Sequence, residues 1–192
     1  MDTKATIIKT AEQLFWAQGY KNTSVNQIIE ETKLSKGSFF HFFPEKKELL
    51  FRVIDYYYDV ELKPLFEKHF NSSKDGKRKI IDFCKEINNE YGKMKFRGGC
   101  AAGNLSLELS DVDDDIREKL DEFFDKWRDE MIIVLNRLEK EKRLTKSPVA
   151  IAQFILWGVE GLTLTSKVHK SKQKNKLEIN LFLDILDGFI LD

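Results

Sequence analysis

The chain of 192 residues has only two cysteines, Cys84 and Cys100, which excludes a disulfide framework and fits a reducing compartment. Its three histidines, His41, His69 and His169, are scattered too widely to compose a metal cluster. Three prolines and ten glycines against 42% hydrophobic residues leave little punctuation, which favours a mostly helical fold. No apolar run approaches the roughly twenty residues of a membrane span, and the first residues lack the apolar core of a secretory signal. Together these absences predict a cytoplasmic protein with no membrane partner. Neither sign of charge is in excess, 32 basic against 32 acidic residues, so bulk electrostatics would not announce a nucleic-acid binder. Glycine-rich phosphate loops are missing, and no histidine stands where it would obviously serve Cys100 as a base, so neither an enzyme nor a bound cofactor is expected.

What is present is concentrated between Thr23 and Leu50. Thr23 and Ser24 precede Val25, Ile28 and Ile29, which share one helical face, and Gln27 follows Ser24 at capping-box spacing. A supporting helix is predicted from about Ser24 to Thr32. Ser35 can cap a second, brief helix beginning at Lys36, and the short separation leaves room only for a sharp turn. Pro44 stops that helix and suits the first position of the next, through Glu45, Lys46, Lys47, Glu48 and Leu49. The pattern is a helix-turn-helix. Upstream, a helix from about Thr3 to Gln18 turns Ile7, Ala11, Leu14 and Phe15 inward and ends at Gly19.

The run Ser35-Lys36-Gly37-Ser38-Phe39-Phe40-His41-Phe42-Phe43-Pro44-Glu45-Lys46, with Leu49 and Leu50, resembles the TetR family of bacterial transcription regulators. Ala11, Leu14, Phe15, Gly19, Tyr20, Thr23, Ser24 and Ile28 extend that resemblance over roughly the first fifty residues. It implies an all-α protein of about nine helices. Residues 1–47 would form a three-helix DNA-binding domain and residues 48–192 a helical effector-binding and dimerisation domain. The helix from Lys36 to Phe42 would enter the major groove of double-stranded operator DNA, with Gly37 permitting close backbone approach. Lys36, Gly37, Ser38, Phe40, His41 and Phe42 are the candidates on that helix. The family often has tyrosine at the positions of Phe40 and Phe42, or histidine at the latter, and phenylalanine cannot donate to a phosphate. Phosphate contacts are therefore expected from Thr23, Ser24, Ser35 and Lys46, and base contacts from His41. Phe39 and Phe43 share a face and should be buried, while Phe40 is left open between packing and DNA. Through Glu48 there are seven lysines, no arginine and six acids, so only a local lysine patch could face phosphates.

Beyond the motif, a fourth helix should run through Leu50, Val53, Ile54 and Tyr57 toward Pro64, and Asn71 to Gly76 forms a loop. Ile80, Cys84, Ile87 and Tyr91 then repeat on one face, which gives Cys84 a structural role as a small buried hydrophobe. Gly98 to Ser110 resembles a TetR branch with Gly-Cys before a short inner helix bearing Asn and Glu. Asp111 to Asp115 should open a long helix carrying Ile116, Leu120, Phe123, Trp127, Met131, Val134 and Leu138. Pro148 should open the next, and the basic segment from Lys167 to Lys176 should form an exposed loop.

The last two helices are apolar on more than one side, which suggests that each has one face in its own protomer and one against a partner. Ile155, Gly158, Leu162, Phe182, Ile185 and Phe189 are the expected interface. Helical position and resemblance offer Phe96, Cys100, Asn104, Glu108, Trp127, Phe154, Trp157, Thr163 and Lys167 as lining of an effector pocket. The expected function is a homodimeric repressor released from a palindromic operator by a small-molecule effector. The alternative is a thiol-based, electrophile- or redox-sensing repressor. It would use Cys100, near a helix N-terminus and with Lys167 as a cationic neighbour, since some members of that branch respond to electrophiles or oxidants.

Overall fold

The computed structural model describes residues 2–192, and the expectation of an all-α protein holds. The helices are α1 (Thr3–Gln18), α2 (Val25–Thr32), α3 (Lys36–Phe42), α4 (Lys46–Tyr56) and α5 (Lys63–Phe70). They continue with α6 (Gly76–Lys93), α7 (Ala101–Leu109), α8 (Asp114–Lys140), α9 (Pro148–His169) and α10 (Lys172–Asp187). A π-helical stretch, Tyr57–Leu62, fills the chain between α4 and α5. If α4, that stretch and α5 are counted as one run, the described residues form nine helices, as expected. Among them the sole β feature is a bridge between Leu144 and Ile190.

Pro64 does not end the fourth helix. It removes one N–H and crowds the carbonyl four residues earlier, and the ladder shifts to wider π spacing immediately before it instead of breaking. Pro44 also sits differently from expectation: α3 ends at an extended Phe43 cap, as a residue before proline prefers, and α4 begins only at Lys46 after an extended Glu45. The basic segment is largely helical. Lys167 to His169 complete α9, and α10 starts at Lys172 behind the Ser171 cap, because lysine is a good helix former and needs no loop to stay solvated.

The chain forms two compact units. The first comprises the chain through Leu62 together with Ala101–Phe123; the second comprises Lys63–Cys100 and Phe124–Asp192. In the first unit, Ile7, Ala11 and Phe15 of α1 are buried, as are Ile28, Phe39, Leu49, Leu50 and Val53. In the second, Phe66 stacks on Phe83 at 4.6 Å between centroids and Trp127 meets both rings edge-on. Cys84 lies in this core, and burial pushes its thiol up to about 12, as suits an inert packing residue.

One expectation is corrected. At 22 residues α9 is long and apolar enough, by length and composition, to cross a membrane. Its interspersed glycines, threonines and Glu160 hide that in a search for continuous apolar runs. Here it packs within the second unit on α6 and α10.

Candidate nucleic-acid interface

The helix-turn-helix is built by short-range capping. Ser24 Oγ accepts from the Gln27 N–H at 3.1 Å and Ser35 Oγ from the Ser38 N–H at 3.1 Å, so each hydroxyl satisfies an otherwise orphaned helix amide. Only half of the expected capping box forms, because the Gln27 side chain pairs with Gln18 of α1, which donates at 2.8 Å. Lys33 closes α2 in the left-handed region at φ 56°. Phe39 and Phe43 are buried, which turns Lys36, Gly37, Phe40 and His41 outward; Phe40 is 47% exposed. Ser38 and Phe42 are half-buried.

Gly37 is informative because the fold has no need of it. A β-carbon there would meet nothing closer than Ser35 Oγ, at 3.9 Å, so an alanine would fit and would favour the helix by about 1 kcal/mol.

Two of the sequence candidates face inward. Thr23 is fully buried, and its hydroxyl donates to the Gly19 carbonyl at 2.8 Å and accepts from Gln18 at 3.2 Å. The Lys46 amine donates to the Tyr20 carbonyl at 2.5 Å and lies 3.9 Å from the centre of the Tyr20 ring. Burial lowers this amine from the ordinary lysine value, and Glu108 opposes that shift.

Glu108, a pocket candidate by sequence, sits in the first unit against the turn that follows α1. Its carboxylate accepts from the Tyr20 N–H at 3.0 Å and the Lys21 N–H at 2.6 Å. Next to Lys46, Lys47 donates to Asp113 at 2.9 Å and also pairs with Asp115. This holds the Asp113 carboxyl below its usual range. Sequence reading missed both clusters, because their partners lie 66 to 88 residues apart and no local pattern joins them.

The remaining pocket candidates are divided between the two units. Asn104 lines an apolar cleft in the first unit with Glu12, Phe15, Trp16, Tyr57 and Leu105. Thr163 lines a cleft in the second unit with Cys84, Asn88, Tyr91 and Ser166, and its hydroxyl donates to the Val159 carbonyl at 2.7 Å. Trp127 belongs to the aromatic core, and Phe154 stacks on Phe182 at 5.4 Å. Phe96 is buried at a left-handed φ of 56°, and Lys167 is half-buried. Trp157 points outward, 68% exposed. Cys100 is buried and bonds to Glu160, whose carboxyl is raised by burial, with the thiol opposing the shift. Two polar features of this unit were not read from sequence: Glu160, and Asn175, which donates to Asn88 at 2.8 Å and to Ser166 at 2.9 Å.

The interface candidates divide in the same way. Ile155 and Phe182 are buried in the protomer, and Gly158 carries the Phe182 ring on its bare backbone. Leu162 and Phe189 are half-buried, while Ile185 is exposed. The outward apolar residues of these helices are Val149, Trp157, Leu164 and Val168 on α9 and Leu177, Leu181 and Ile185 on α10.

A helix-turn-helix with an outward second helix, carried by an all-helical chain, defines a DNA-binding transcriptional regulator. Residues 7–53 match the family model described as bacterial regulatory proteins, tetR family. Residues 77–175 match the C-terminal domain of LmrA/YxaF-like transcriptional regulators. An HTH-type regulator in the lacX 3' region of Lactococcus lactis subsp. lactis is 31% identical over 95% of this chain and 91% of its own length. The E. coli repressor NemR is 23% identical over 62% of the chain and 60% of its own length. The reduced form of E. coli NemR superposes with TM-score 0.83 at 21% identity, covering 98% of this chain and 97% of that one. A TetR-family regulator from Cytophaga hutchinsonii gives 0.84 at 20%, covering 99% and 96%. At those identities the two structures share the fold. The chain belongs to the TetR family of bacterial transcriptional regulators.

Proposed function

We propose that the protein is a cytoplasmic homodimeric repressor whose two α3 helices read a roughly palindromic operator. A small-molecule effector bound among the C-terminal helices releases it. In this reading residues 1–47 bind DNA, and residues 48–192 dimerise and take the effector. The observation that carries it is Gly37. An exposed helical glycine that the protomer has room to replace is kept at a cost in helix stability, and close approach of a duplex supplies the reason. Lys36 and the Ser24 and Ser35 backbones are the contacts to phosphate, and His41 faces base edges. Support for the dimer comes from the outward apolar residues of α9 and α10, which in water alone would be an exposed patch. The test is fluorescence anisotropy on the duplex that the wild-type protein enriches from a random-sequence library, with a scrambled duplex as control, as salt rises. The enriched duplex should bind more tightly at every salt concentration. Equal binding of both duplexes, or no salt-dependent binding, contradicts the proposal.

A second reading, a thiol-sensing repressor, is favoured by the likeness to NemR, which was solved in a reduced form, and by Cys100 lying just before α7. Against it stands the Glu160 carboxyl, whose charge would oppose a neighbouring thiolate. A mild thiol reagent decides it. Release of DNA by the native protein, but not by Cys100→Ser, with Cys84→Ser behaving as native, supports thiol sensing. Continued binding excludes it.

A further inference from the structure

The turn between α1 and α2 is held from two sides by charged groups outside it. Gly19 takes φ 88°, and the two peptides that follow are gripped individually. The Tyr20 N–H and the Lys21 N–H both donate to the Glu108 carboxylate of α7, at 3.0 and 2.6 Å. On the opposite side of the same residue, the Tyr20 carbonyl accepts from the Lys46 amine of α4 at 2.5 Å. Glu108 also packs on Gly19: a β-carbon there would lie 3.0 Å from one of its carboxylate oxygens. Three residues beyond Lys21 the Ser24 cap begins α2, so whatever fixes this turn fixes where the helix-turn-helix starts.

We infer that Glu108 is a positioning residue for DNA recognition: from α7 it sets the α1–α2 turn, and through that turn the placement of α2 and α3. This rests on the proposed DNA-binding function. Glu108 accepts from backbone amides inside the protein, so it is not a phosphate contact. Charge-assisted hydrogen bonds from two adjacent amides to one carboxylate define a direction as well as a distance. The carboxylate cannot be replaced by water without loss of that geometry. Sequence-specific binding by a dimer needs both recognition helices at a fixed spacing and orientation, whereas non-specific binding needs only charge near phosphates. Loss of Glu108 should therefore damage specificity before it damages general affinity for DNA.

The experiment compares wild-type protein with Glu108→Ala and Glu108→Gln. Affinity is measured for the duplex that the wild type enriches from a random library and for a scrambled duplex, each across a salt series. Thermal unfolding and amide exchange at Tyr20 and Lys21 are followed in parallel. The expected result for Glu108→Ala is a folded dimer with about a tenfold lower ratio of enriched to scrambled affinity. Its salt dependence should be unchanged and its Tyr20 and Lys21 amides should lose protection. Glu108→Gln, which keeps one acceptor oxygen, should fall between. A lower melting temperature with the ratio unchanged would make Glu108 a stabilising residue only and overturn the inference. Failure of both variants to fold would overturn it equally. Failure of the DNA-binding reading itself would appear in the wild-type protein, as no preference for the enriched duplex.

Discussion

The α3 surface of the first unit and the α9–α10 surface of the second both face outward, yet they expose different chemistry. Around α3 the polar groups are individually provided for. Ser24 and Ser35 cap helices, Thr23 bonds within its turn, and what remains outside is Lys36, His41, a bare glycine and the Phe40 ring. On α9 and α10 large apolar residues such as Trp157, Leu164, Leu177 and Leu181 are exposed among charged ones such as Lys176 and Asp184, while polar Asn175 and Ser166 are buried and bonded to one another. The first surface is suited to a hydrated, charged partner and the second to an apolar one. Adjacent residues can belong to opposite roles: Leu181 is 63% exposed and Phe182 only 7%.

That adjacency gives the largest expected effect. Leu181→Glu should leave a folded protomer but raise the dimer dissociation constant at least a hundredfold, because it strands a charge in an apolar contact. Phe182→Glu should fail to fold, because its ring packs on Phe154 and over Gly158. Sedimentation and circular dichroism of the two variants separate the outcomes, and identical behaviour would erase the distinction between the faces.

Three glycines sharpen the comparison at lower cost. A methyl at Gly158 would collide with the Phe182 ring, so Gly158→Ala should destabilise by about 1–3 kcal/mol in chemical denaturation. Nothing lies within 4 Å of the position a methyl would take at Gly161, and a methyl at Gly37 meets only the Ser35 hydroxyl. Alanine at either should raise the stability of the isolated protomer by up to about 1 kcal/mol. The gain should come with weaker dimerisation for Gly161→Ala and weaker DNA binding for Gly37→Ala.

The smallest effect concerns pH. Burial raises the Glu160 carboxyl in the folded state, so between the ordinary glutamate value and the raised one the folded protein binds more protons than the unfolded. Stability should fall as pH rises through that window, with the cost fully present above it and absent below. Glu160→Gln should remove this dependence and be more stable than native at neutral pH. A native-like pH profile in the variant would count against it.

Much of the first unit was legible because its signals are local. Serine caps, a proline stop and the apolar face of Val25, Ile28 and Ile29 fix α2 and α3 within a residue. Glu108 and Lys46 were legible as residue types but not in their roles. Each is committed to a backbone group far away in sequence, and a carboxylate offers no sign of whether it will meet a ligand or an amide. In the second unit the helices were evident, but not which face of α9 or α10 turns inward. An apolar residue on every side leaves the rotation of a helix unspecified: Trp157, offered for the pocket, is 68% exposed, and Phe182, offered for the interface, is 7% exposed. The helical run passes Pro64, toward which the fourth helix was expected to extend, for a different reason: a π turn lets a helix absorb a proline.

The central claim is that two copies of this chain present α3 helices to one duplex. It is tested most directly by sequencing the DNA that wild-type protein enriches from a random library. The predicted result is an inverted repeat whose half-site centres lie one helical turn apart, about 34–36 Å, or a multiple of it. A single unrepeated site, or no enriched sequence at all, would contradict the account.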